Sequence, residues 1–473
     1  MDALGPSFDG VGCIEEREVS PAQRRPTGGT APFLALLVIA FGTTVAMWSV
    51  GYLGRLPVVL LPSPLLLVLM LACVPLGGFL LGRLTGANWT SGFAAGALSG
   101  LLNLFILGSL LGGARPNEVV PSAMWWIPGS ILVSGLLAAV GAAVGRRQPL
   151  PGERPNRWWL GWFAKLAVVA TLLLLAVGGL VTSAEAGLAV TDWPNSFGYN
   201  MFLYPFSQMT GGVYYEHAHR LFGALVGLTT LTLTLLLQWT DPRRWVRRLG
   251  WLALVLVVAQ GILGGLRVTG QLTLSTSPEA MSPNLGLAML HGVLAQLFFA
   301  LLVALSVFTS SAWLAPQPPL ERPSARTDRS LGGLLVILVI CQLVLGAAQR
   351  HFATLLTLHL ILGVAAVAPM ALHVGIRAWG LNPDHRLLRR LGLALVGGVV
   401  LQLLLGIGAY VVTGIAVQPG VVGGPELVVA TAHQWFGAVL LALAVSVTCW
   451  NWRLVATQPN HAPRPLQTQR PQA

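Results

Sequence analysis

The sequence predicts an all-α polytopic membrane protein of twelve transmembrane helices, and three observations carry that prediction. Of the 473 residues, 55% are hydrophobic and 9% charged, a balance far from that of a soluble domain. The apolar residues come in runs long enough to cross a bilayer, which takes about 20 of them. Unpaired backbone is intolerable in hydrocarbon, so runs of this length fold as helices.

In chain order the runs cover 31–50, 62–82, 92–112, 124–145, 162–182, 217–237, 250–267, 286–308, 331–349, 355–376, 391–413 and 428–451. The first four, within 31–148, are rich in Gly, Ala and Leu and nearly free of polar residues. Small residues let membrane helices approach closely, so this N-terminal four-helix domain reads as a structural or assembly unit. The segment 146–157, rich in Pro and Arg, divides it from eight further helices.

Those eight form two repeats, 149–329 and 330–455. His219 in the sixth run corresponds to His359 in the tenth, Gln260 in the seventh to Gln402 in the eleventh, and His291 in the eighth to His433 in the twelfth. Each repeat holds four helices, so both have the same orientation, and an axis along the membrane normal relates them. The expected core is therefore two parallel four-helix bundles, flanked by tails at 1–30 and 456–473.

The formal charge of +12 does not describe a nucleic-acid partner. Under the twelve-helix topology, 23 of the 28 Lys and Arg fall in one set of loops and tails, including Arg146, Arg147, Arg154, Arg157 and Lys165 in one loop. Positive charge gathers on the cytoplasmic side, which puts both termini there and membrane lipid around the rest. Cys13, Cys73, Cys341 and Cys449 include no C-x-x-C, which argues against a disulfide framework or thiolate metal site. The first 30 residues contain Glu15, Glu16 and Glu18 and no short apolar core, unlike a secretory or transit peptide.

The chemistry is expected from four histidines. His219 and His291 are 72 residues apart, His359 and His433 are 74 apart, and each begins a long apolar run. Ionisable groups inside a membrane mark functional sites, and neutral imidazole is a common axial ligand of haem iron. Paired within each half, they suggest two bis-histidine haem pockets near the external face. Glu216 shares a helix face with His219 and is absent from the second half, which suggests a reactive first pocket and an electron-holding second one. Arg220 follows Glu216 by four and can pair with it. Arg267 and Arg350-His351 are placed where haem propionates need cations, although snorkelling explains them equally well. His217 reads as an interfacial bystander, and Gln260 and Gln402 as polar glue between helices. The long loop 183–215 reads as a lid, although an interfacial aromatic belt also explains its Trp and Tyr residues.

At Gly187-Leu188-Ala189-Val190-Thr191-Asp192-Trp193-Pro194, Glu216-x-x-His219-Arg220, His291-Gly292 and the histidines at 359 and 433, the chain resembles the haem A synthase family over about 158–451. The resemblance implies an oxidoreductase that converts haem O to haem A, oxidising a ring methyl to a formyl group by successive hydroxylations. It implies that His219 and His291 bracket the substrate haem, that His359 and His433 ligate a resident haem b, and that Glu216 is catalytic, with Arg220 and Arg350 at the cofactors. It further implies a bacterial plasma membrane, haem O synthase upstream, a haem-copper terminal oxidase as recipient, and allows a homo-oligomer. Many relatives carry a cysteine pair where this chain has Asn195-Ser196-Phe197-Gly198-Tyr199. The alternatives are a dihaem cytochrome that only relays electrons, which needs the histidines but not Glu216, and a transporter, which wants polar groups at mid-membrane.

Overall fold

The computed structural model describes residues 32–57, 59–113, 115–270, 284–415 and 423–457. The two expected tails and Cys13 lie outside them, apart from residues 456 and 457. Among the described residues are twelve helices long and apolar enough to cross a membrane, making the chain a multi-pass membrane protein. They are α1 (Phe33–Arg55), α2 (Ser63–Thr85), the span Trp89–Ile106, whose larger part is α3 (Trp89–Leu102), α4 (Ala123–Gly145), α5 (Asn156–Ser183) and α6 (Gly211–Thr240). There follow α7 (Arg244–Val268), α8 (Leu285–Phe308), α9 (Ala325–Phe352), α10 (Leu356–Gly380), α11 (Arg386–Thr413) and α12 (Gly424–Leu454).

Most boundaries lie outside the apolar runs, because helices continue past the hydrocarbon into polar ends. One predicted run breaks. The segment expected at 92–112 is α3 followed by a separate helix, Leu104–Leu111. Between them Asn103 is buried; its side chain accepts the Trp48 indole N–H at 3.0 Å and lies 3.2 Å from Met47 Sδ. A further departure is a π turn at Gly363–Val367 in α10. Pro369 follows closely and has no N–H to give the preceding turn, the usual reason for such widening.

The N-terminal domain packs by backbone contact. Gly78 and Gly82 of α2 lie against Ala138 and Ala142 of α4, and Gly141 and Gly145 of α4 against Pro75 and Phe79. A methyl group at any of these positions would overlap a carbonyl oxygen. In α5–α8 each helix touches the next and α8 returns to α5; α9–α12 close in the same way. The two rings meet through α5 and α8 on one side and α9 and α12 on the other. Trp435 Nε1 donates to Leu172 O at 2.9 Å and Thr431 Oγ1 to Ser183 Oγ at 2.9 Å across this seam.

Helix α1 joins the N-terminal domain to the first ring. Trp48 and Tyr52 pack edge-on to Phe222, Tyr52 stacks on Tyr214 at 5.4 Å, and the Tyr214 hydroxyl donates to Tyr52 O at 2.7 Å. The same domain braces the loop between α5 and α6. Gly108 and Gly112 lie against the carbonyls of Phe202 and Leu203, Asn117 Oδ1 accepts from Asn200 N at 2.8 Å, and the Arg55 guanidinium lies 4.0 Å from the Phe206 ring centroid. The loop is thus held between the N-terminal helices and the first ring.

Candidate functional site

Each of the four histidines stands in the first third of its helix and leans on a glycine near the end of the preceding one. A Cβ at Gly178 of α5 would come within 3.0 Å of His219 Cε1. At Gly264 of α7 it would come within 3.5 Å of His291 Cε1, at Gly346 of α9 within 3.0 Å of His359 Cε1, and at Gly406 of α11 within 3.1 Å of His433 Cε1. Antiparallel hairpins with this contact bring all four imidazoles to one end of the core. The glycines supply the room: an added Cβ at Gly178, Gly346 or Gly406 would press on the ring more tightly than an ordinary contact, and at Gly264 it would just touch it.

Four residues before three of these glycines stands a glutamine. The side-chain amide of Gln260 donates to His291 O at 3.0 Å, that of Gln342 to His359 O at 2.9 Å, and that of Gln402 to His433 O at 3.1 Å. A carbonyl has two lone pairs, so each accepts this bond beside its own helical one. Gln342 also approaches the His359 ring, Nδ1 lying 3.1 Å from the amide nitrogen. Gln260 and Gln402, expected as interhelical glue, therefore bind the histidine positions themselves. Gln342 and the four glycines were not singled out in the sequence. The recurring Gln-x-x-x-Gly, at 260–264, 342–346 and 402–406, is the signal that finds them.

Within each half the structure brings the two histidines face to edge. The rings of His219 and His291 have centroids 6.2 Å apart and planes at 74°; those of His359 and His433 are 6.3 Å apart at 85°. A metal–imidazole nitrogen bond is about 2.0 Å and a ring nitrogen lies about 1.1 Å from its centroid, so two trans imidazoles on one iron stand about 6 Å apart. Both pairs fit that spacing. Nδ1 of His219, of His291 and of His433 is buried with no hydrogen-bond partner. Beyond His219 on α6, a Cβ at Gly223 or Gly227 would meet nothing within 4 Å, leaving space beside the helix for a flat group. The residues present fit a haem held by two histidines in each half. No three His, Cys, Asp or Glu side chains converge among the described residues.

Glu216 is 4% exposed. Its carboxylate accepts Val190 N–H at 2.9 Å and pairs with Arg220 Nη2 at 2.9 Å. Arg220 also donates to the carbonyls of Val190, Asp192 and Asn195 at 2.7, 2.7 and 2.9 Å. Arg220, expected at a cofactor, clamps the loop to α6, because the loop folds back across it and offers three carbonyls. Asp192 accepts the N–H groups of Phe197 and Gly198 at 2.7 and 2.8 Å. Those two residues, at φ 53° and 79°, form the turn of a short hairpin, β1 (Asn195–Ser196) and β2 (Tyr199–Asn200). A left-handed pair is the turn such a hairpin requires.

His217, expected as a bystander at the interface, is fully buried; its Nδ1 lies 3.1 Å from Ser196 Oγ and its ring packs on Tyr204 at 5.0 Å. Burial, then the neighbouring Tyr199, raise the Tyr204 phenol above its usual pKa. Trp193 lies on Gly265 of α7, and Gly187 on the Arg267 guanidinium, so the lid also covers the end of α7. Arg267 Nε is buried without a hydrogen-bond partner among the described residues. Arg350 donates to Thr182 O at 2.6 Å, tying α9 to α5.

Residues 158–360 match the profile of a family described as cytochrome oxidase assembly protein. The chain is 37% identical over 118 residues to a protein named Heme A synthase from Lysinibacillus sphaericus (strain C3-41), covering 24% of this chain and 36% of that one. It is 35% identical over 105 residues to another of that name from Methylobacterium sp. (strain 4-46), covering 20% of this chain and 29% of the relative. The matched part thus spans about a third of the length of these curated relatives.

Proposed function

We propose, from the match of residues 158–360 to the cytochrome oxidase assembly profile, that the protein acts as a haem A synthase, an oxidoreductase that converts the ring methyl of haem O to a formyl group. The observation that carries the reading is the repeated pair of facing imidazoles, at 6.2 and 6.3 Å. In this reading His219 and His291 hold haem O, and His359 and His433 hold a resident haem b. A bound haem b supplies one-electron redox chemistry at its iron. Glu216, one helical turn before His219, is the acid–base residue. Its bonds to Val190 and Arg220 keep the lid seated, which excludes water and strengthens electrostatic interactions beneath it. Arg267 is better placed than Arg220 for a propionate, since its guanidinium lies at the lid and no described group bonds its Nε. Arg350, one bond committed to Thr182, serves the same rim from the second half.

The test is conversion. Membranes containing the chain and supplied with haem O should yield haem A, identified by mass after pigment extraction. Haem O left unchanged by a protein that binds haem b would instead favour an electron-relaying cytochrome. The reading places the histidine end outside a bacterial plasma membrane and both termini in the cytoplasm, with haem O synthase upstream and a haem-copper oxidase downstream. A cysteine introduced by Ser207→Cys should react with a membrane-impermeant maleimide in intact cells, above the parental background. Reaction only after permeabilisation would invert the topology.

A further inference from the structure

Four hairpins build the two pockets alike, except in one place. On α7, α9 and α11 a glutamine stands four residues before the glycine under the histidine ring, and its amide bonds the histidine's own carbonyl. On α5 the glycine is Gly178 and the residue four before it is Leu174. Leucine cannot donate, and no described side chain bonds the His219 carbonyl. The space a glutamine would fill differs accordingly. A Cβ at Gly363, four residues after His359, would meet the Gln342 amide nitrogen at 2.8 Å, and one at Gly437, four after His433, would meet that of Gln402 at 3.5 Å. At Gly223, four after His219, nothing lies within 4 Å.

We infer that His219 is the yielding ligand of the first pocket, the one whose own carbonyl no described side chain ties and whose imidazole gives way to admit and release the haem, while His291, His359 and His433 are fixed in place by their glutamines. The inference rests on the proposal that the first pocket takes the substrate. A substrate site must open at every turnover, so one of its two axial contacts has to be the weaker. A resident cofactor has no such need, and both of its histidines are tied. In hydrocarbon an interhelical amide bond is not replaced by water when it opens, so each tie resists displacement of the histidine backbone. Leu174 and Gly178 are therefore positioning residues for exchange, acting through His219.

The experiment follows haem transfer from the purified full-length chain to excess apomyoglobin by absorbance. The unaltered chain should release its two haems in two phases. Leu174→Gln should slow the faster phase by about threefold or more, the effect of one interhelical hydrogen bond in a membrane bundle, while Leu174→Met leaves both phases as they were. Gln402→Leu should speed the slower phase by a similar factor. A single release rate for two bound haems overturns the inference alone, as does a faster phase that Leu174→Gln leaves unmoved. An unchanged slower phase in Gln402→Leu overturns it independently of how the first variant folds. A chain that retains no haem overturns the reading beneath it as well.

Discussion

Replacing Glu216 with glutamine should lower haem A formation by about 10²–10⁴-fold, the usual loss when a positioned acid–base group is removed, with haem O or a hydroxylated intermediate accumulating. Glutamine has the same shape and still offers an oxygen to Val190 N–H. Arg220 keeps its bonds to the carbonyls of Val190, Asp192 and Asn195, so the clamp on the lid should survive. Glu216→Ala is less informative, because removing one partner of a buried ion pair costs about 3–5 kcal/mol and the lid would loosen with it. Two readouts separate the roles. If Glu216 acts on the substrate, hydrogen exchange across 187–215 and the haem spectrum stay as in the parent while product falls. If it only positions the lid, exchange rises in that segment. Near-normal haem A production would make Glu216 a structural partner of Arg220 and require another catalytic residue.

The second large effect is loss of the resident haem on His433→Ala. Gln402 bonds the backbone carbonyl at position 433, not the ring, so α12 should stay docked on α11 after the imidazole is gone. The variant should insert and remain folded while haem b occupancy falls by more than the about 10–100-fold in affinity that outer-shell changes cost a metal site. His359→Ala should lose haem b as well, with a larger structural disturbance, since Gln342 touches both the carbonyl and the ring of His359. Intact bis-histidine haem b spectra in both variants would contradict the assignment of the second pocket.

The fold was legible because hydrocarbon permits so little: every long apolar run had to be a helix. The break at Asn103 was not, since it depends on the Trp48 indole, 55 residues away, finding an acceptor. In the site, the histidines were visible because polar side chains at membrane depth are conspicuous. Their glycines were not, because the chain has 55 glycines and a cradle for an imidazole looks like any close helix contact. Arg220 was legible only in part. Its pairing with Glu216 follows from helix spacing, but its three bonds to lid carbonyls arise from a loop whose path the sequence does not display. His217 was missed likewise: the hairpin that buries it is set by the Asp192 carboxylate and a left-handed turn at Phe197-Gly198.

The most direct measurement extracts and identifies the pigment of the purified full-length protein and counts haem per chain alongside a low-temperature spin-state spectrum. Two low-spin, bis-histidine haems per chain are expected, one of them haem b and the other haem O or haem A. A chain carrying no haem, or one haem that both His219→Ala and His433→Ala leave in place, would contradict the account of two histidine-paired pockets.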